Sequence, residues 1–122
     1  MSQPIRLLYV DDEESLRILV KSQLISEGFY VEAADDGDTA IEELKKNSFD
    51  IILLDIRMPR MNGIEVLKFI KQQKIKSRVV MLTAVDDLSI AIESVKNGAN
   101  DYVTKPYDLN NLLACINRVI AR

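Results

Sequence analysis

The chain has 122 residues, enough for one packed domain and too few for two, and 48% of them are apolar, as in a globular rather than a disordered protein. Sixteen basic residues against 19 acidic ones leave a formal charge of −3, which argues against nucleic acid as a direct partner, since phosphate binding depends on clustered Lys and Arg. The single cysteine, Cys115, cannot form an internal disulfide, and no apolar run approaches the roughly 20 residues of a membrane span, so a cytoplasmic location without a membrane partner is expected.

Ile5 to Val10 is a short apolar, β-branched run, the signature of a strand. Leu16, Leu19, Val20 and Leu24 then form a helical stripe, with Gly28 as its C-terminal cap. On that helix Ile18 and Ile25 lie opposite the stripe, either packed against the last helix or forming a docking patch bordered by Arg17, Lys21 and Ser22. Phe29 to Ala34 reads as the second strand, and Ile41 and Leu44 mark the second helix. Asp50 to Leu54 is the third strand; Ile51-Ile52-Leu53-Leu54 is apolar without alternation, as a central strand covered on both faces requires. Ile64, Leu67 and Ile70 mark the third helix, and Arg78 to Leu82 the fourth strand. Leu88, Ile92 and Val95 mark the fourth helix, stopped by Asn97-Gly98, with Ile90 off the stripe. Asp101 to Val103 is the fifth strand, and Leu109, Leu112, Leu113, Ile116 and Ile120 give the last helix its buried face. Strands alternating with helices predict an α/β fold, parallel strands joined by crossover helices that cover both faces of an open sheet. No repeat, low-complexity segment or linker interrupts the pattern, so residues 1–122 are read as one domain.

In such sheets ligands sit beyond the carboxyl ends of the strands. The residues there are Asp11-Asp12, Asp35-Asp36, Asp55, Thr83 and Thr104-Lys105-Pro106. Each has an ordinary reading by itself. Asp11 and Asp12 suit a helix N-terminus, Asp55 a turn, Thr83 a helix cap and Lys105 an exposed turn. Together they form a constellation. If the first and third strands are neighbours, Asp11, Asp12 and Asp55 converge, and their mutual repulsion requires a cation. Magnesium suits carboxylates and phosphate oxygens. The absence of His and the lone Cys argue against zinc or copper.

Val10-Asp11-Asp12-Glu13, the run Leu54 to Gly63, Leu82-Thr83-Ala84 and the run Gly98 to Pro106 closely resemble the response-regulator receiver domain of two-component signalling. The resemblance covers essentially the whole chain and implies a flavodoxin-like (βα)5 fold with a five-stranded parallel sheet in the order 2-1-3-4-5. It implies a switch in which Asp55 accepts a phosphoryl group from a histidine kinase or histidine phosphotransfer protein. Asp12, with Asp11 directly or through water, Asp55 and the Arg57 backbone carbonyl would hold Mg2+. Thr83 and Lys105 would bind phosphoryl oxygens, beside a small Ala84 and a cis Lys105–Pro106 peptide. Arg57 and Val85 would tune the phosphoryl lifetime, and Thr83 and Tyr102 would carry the switch to a face made by the fourth helix, fifth strand and fifth helix. That face would serve an effector or a homodimer. No turnover of an external substrate is expected. An aspartate-nucleophile phosphatase would place a second Asp where Arg57 stands, and a flavodoxin-type cofactor binder would need a phosphate loop where Asp11-Asp12-Glu13-Glu14 stands. A pseudo-receiver would lack part of the acid, Thr or Lys set.

Overall fold

The computed structural model describes residues 3–121. Its elements are β1 (Arg6–Val10), α1 (Glu14–Ser26), β2 (Tyr30–Ala34), α2 (Gly37–Lys46), β3 (Ile51–Asp55), α3 (Gly63–Gln72), β4 (Arg78–Thr83), α4 (Leu88–Lys96), β5 (Asp101–Thr104) and α5 (Leu109–Ala121). A 3-10 turn, Val85–Asp87, precedes α4. The strands pair in parallel in the order β2-β1-β3-β4-β5, as the resemblance implied.

Side chains alternate across the sheet, and each face has its own core. Leu8, Val10, Ile52, Leu54, Val79 and Met81 meet Ala40, Val66, Leu67, Ile70 and Ala91 of α2, α3 and α4. Leu7, Tyr9, Ile51, Leu53, Val80 and Leu82 meet Val20 and Leu24 of α1 and Leu112, Cys115, Ile116 and Val119 of α5. Both faces of β3 are covered, which is why its sequence shows no alternation.

Two helical stripes differ from expectation. On α1, Val20 and Leu24 are buried and Leu16 partly so, whereas Leu19 is 55% exposed. The buried line advances by four residues per turn and rotates away from Leu19. On α4 the buried residues are Ala91 and Ser94, Ile90 leans on the core, and Ile92 and Val95 face outward. Small side chains let this helix lie close to the sheet, and Ser94 satisfies its own hydroxyl by donating to the Ile90 carbonyl at 2.8 Å. Neither Ala nor Ser stands out in a hydropathy pattern, so the larger residues beside them draw the eye. Ile18 and Ile25 are 62% and 50% exposed, which removes the packing explanation for them.

Gly63 has a direct bearing on the site. A Cβ there would lie 2.2 Å from the Asp55 carbonyl oxygen, so only glycine lets α3 begin against the end of β3. Asn62 and Glu65 then close a reciprocal cap on that helix.

Candidate functional site

β1 and β3 are adjacent, with Val10 opposite Leu54, so the carboxylates that follow or end these strands emerge side by side. Oxygens of Asp11, Asp12 and Asp55 all lie within 4.8 Å of one another. Asp11 and Asp55 are buried and Asp12 is exposed. Lys105 comes from the far side of the sheet: Thr83 pairs with Thr104, and the Lys105 amide donates to the Thr83 carbonyl at 2.7 Å. Its Nζ reaches Asp55 Oδ2 at 3.1 Å and Asp11 Oδ2 at 3.4 Å. The Lys105–Pro106 peptide is cis.

Burial, seconded by repulsion from Asp11 and Asp12 and opposed by Lys105, pushes the Asp55 pKa up to about 6. Burial works against the charge on Lys105, but Asp55 and Asp11 outweigh it and raise its pKa. One ammonium facing three acids leaves an excess of negative charge. A hard divalent cation bound by oxygen fits both this excess and the donor set, three carboxylates within reach of one centre.

Asp11 is held by several groups. Its Oδ1 accepts from the Glu13 amide at 2.9 Å, and its carbonyl accepts from Arg17 Nη1 at 2.8 Å. Its Oδ2 accepts from the Tyr9 hydroxyl at 3.3 Å, and that hydroxyl lies 2.8 Å from the Tyr107 hydroxyl. Burial pushes both tyrosine pKa values up, so both stay protonated.

Thr83 is fully buried at the end of β4, its hydroxyl donating to the Ala84 carbonyl at 3.0 Å. Ala84, Val85 and Pro106 are exposed around the mouth of the site. Tyr102 is half-buried and packs, with Ile90, against the α2–α4 side of the core.

Three residues were not singled out by the sequence reading. Asp87 is buried and takes both arms of the Arg57 guanidinium, Nε to Oδ2 at 2.8 Å and Nη2 to Oδ1 at 2.7 Å. These bonds hold its pKa below the usual carboxylate range. The pair ties the loop after β3 to the turn before α4 across 30 residues of chain, beyond any local pattern. Tyr9 and Tyr107 carried a fainter signal: a residue with a polar tip inside the otherwise aliphatic Leu7-Leu8-Tyr9-Val10, and a second tyrosine directly after Lys105-Pro106. Asp35 and Asp36 stay outside the site. Asp36 caps α2 through the Thr39 amide and pairs with Arg60, and Asp35 accepts from the Thr39 hydroxyl. A groove between α3 and α4, lined by Ile64, Leu67, Ile90 and Ser94, lies away from these carboxylates.

Residues 7–117 match the response regulator receiver domain. The chain belongs to that family. Accepting a phosphoryl group as a signalling switch is the standard function of receiver domains, which bind Mg2+ through an acidic cluster and interact with histidine kinases and effectors. This receiver domain is 38% identical over 116 residues to the chemotaxis protein CheY of Bacillus subtilis, covering 94% of this chain and 97% of that one. It is 39% identical to the transcriptional regulatory protein TrcR of Mycobacterium tuberculosis, where 98% of this chain spans 46% of the relative. Among solved structures, the chemotaxis response regulator CheY4 of Vibrio cholerae superposes with a TM-score of 0.89 at 33% identity, covering 96% of this chain and 99% of that one. The receiver domain of the Francisella response regulator 1452 gives 0.88 at 31%, covering 97% and 98%. Among the described residues, no helix is long and apolar enough to cross a membrane.

Proposed function

We propose that the whole chain acts as one receiver domain whose phosphoacceptor is Asp55. The observation that carries this is the buried Asp55 carboxylate, 3.1 Å from the Lys105 ammonium and grouped with Asp11 and Asp12. An Asp55 oxygen attacks the phosphorus of a phosphohistidine on a histidine kinase or histidine phosphotransfer protein. The bond between phosphorus and imidazole nitrogen breaks as the bond to Asp55 forms. Phosphoryl transfer needs alignment and charge neutralisation more than covalent help from other groups. Lys105 and the Thr83 hydroxyl supply part of this to the phosphoryl oxygens, and Ala84 leaves them room. Asp11, Asp12, Asp55 and the Arg57 backbone carbonyl would hold Mg2+, which neutralises phosphoryl charge when bound. The protein turns over no external substrate. Arg57 and Val85 flank the path of the hydrolytic water and set the lifetime of the acyl phosphate.

The switch runs through Thr83 and Tyr102. A phosphoryl group on Asp55 offers acceptors to the Thr83 hydroxyl in exchange for the Ala84 carbonyl. The β4–α4 turn follows, and Tyr102 moves inward from its half-buried position. The changed face of α4, β5 and α5 then meets an effector or a second copy of the domain. Buried Cys115 is the single cysteine of the sequence and cannot form an internal disulfide, which accords with a reducing compartment such as the cytoplasm.

Incubation with acetyl phosphate, followed by intact mass, tests the assignment. One phosphoryl group should add in the presence of Mg2+, almost none after chelation, and none in Asp55→Asn. Full labelling of Asp55→Asn, mapped to the same residue that is labelled in the parent, would refute it.

A further inference from the structure

We propose that Tyr9 is a positioning residue for the cation, acting through Asp11, with Tyr107 behind it. The proposal rests on the reading of Asp11, Asp12 and Asp55 as the Mg2+ ligands. Tyr9 has no solvent-exposed surface, and its ring packs in the α1–α5 core among aliphatic side chains. A phenyl ring would fill that space without bringing in a hydroxyl that must find a partner away from water. The partners that the Tyr9 hydroxyl finds are Asp11 Oδ2 at 3.3 Å and the Tyr107 hydroxyl at 2.8 Å.

Each hydroxyl has one proton, and an ionised carboxylate can only accept. With the Tyr9 proton given to Asp11 Oδ2, the proton between the two tyrosine hydroxyls is the one that Tyr107 gives to Tyr9. The other Asp11 oxygen is already held by the Glu13 amide at 2.9 Å. The carboxylate is thus gripped at both oxygens by neutral donors, which fix its plane without cancelling its charge. Lys105 also faces Oδ2, at 3.4 Å, but as a cation it competes with a bound metal for the same oxygen. Tyr9 supports the ligand without that competition. Donors behind a metal ligand set its orientation, and losing one typically costs about 10- to 100-fold in metal affinity.

The test is calorimetric Mg2+ titration of the full chain, its Tyr9→Phe and Tyr107→Phe variants, and Tyr30→Phe as a control. Tyr30 is an exposed tyrosine whose hydroxyl donates to Glu32, away from the site. Tyr9→Phe should weaken Mg2+ binding about 10-fold, Tyr107→Phe less, and Tyr30→Phe not at all. Urea unfolding of the metal-free proteins runs in parallel. A merely structural Tyr9 would shift the urea midpoint and leave the Mg2+ dissociation constant in place, and that result overturns the proposal. If Tyr9→Phe does not fold, Tyr107→Phe decides, and undiminished affinity there overturns it equally. A parent chain that binds no Mg2+ would instead refute the metal-site reading itself, and this inference with it.

Discussion

The two halves of the site are built differently. On the β1 side Asp11 is tied at every oxygen: Oδ1 to the Glu13 amide, Oδ2 to Tyr9 and Lys105, and the carbonyl to Arg17. On the β4–β5 side, the Thr83 hydroxyl rests on the carbonyl of the next residue, and every residue of β5 is half-buried. The turn between them is fastened by Arg57 and Asp87, a pair whose arginine side chain is 73% exposed. A group that must present a cation gains from rigidity, and a group that must change partners gains from weak tethers. One sheet edge thus carries a holding half and a moving half.

The largest expected effect comes from cutting the moving half. Thr83→Ala and Tyr102→Ala should each still be labelled on Asp55, but should lose most of the phosphorylation-dependent change in partner affinity or self-association. The loss corresponds to a coupling free energy of about 1–3 kcal/mol. If both variants respond as fully as the parent, the signal leaves the site by another route.

A smaller effect is expected at the fastening. Arg57→Ala removes both hydrogen bonds to Asp87 and leaves that buried carboxylate without its guanidinium. The decay rate of phosphorylated protein should change severalfold, and more than the rate of phosphorylation. Asp87→Asn should act in the same direction, since it weakens the same pair. Decay curves that superpose for both variants and the parent would make the pair structural ornament.

The smallest effect tests the holding half through pH. The Asp55 pKa rises from 3.8 to about 6 on folding, so between those values the folded state binds a proton that the unfolded chain does not. Its charge therefore opposes folding above pH 6, and this penalty fades as the pH falls. Asp55→Asn should stabilise the metal-free protein by only about 1 kcal/mol at pH 8, because Lys105 loses a partner in the variant, with the gain vanishing by about pH 4. Urea unfolding of the two proteins across this range is the check. A gain independent of pH would show that burial of the Asp55 charge is not its source.

Much of this organisation is legible in the amino-acid order. The continuous apolar run Ile51 to Leu54 identifies β3 as central, and chemistry-bearing residues at the ends of successive strands locate the site before any coordinates. Strand ends are legible because the sheet brings them together whatever the loops do. Contacts between loops are not. Arg57 and Asp87 meet only because the turns after β3 and β4 curl toward each other, and nothing near either residue announces it. The buried stripe of α4 escapes the hydropathy pattern for a related reason: close packing on the sheet selects Ala91 and Ser94 for their small size.

Amide hydrogen exchange, with and without phosphorylation, tests the division most directly on a sample whose mass confirms one phosphoryl group on Asp55. Amides of β1 and β3 should keep their protection, while those from Ala84 through β5 should change. Uniform change across all five strands, or none from Ala84 to Thr104, would contradict the account.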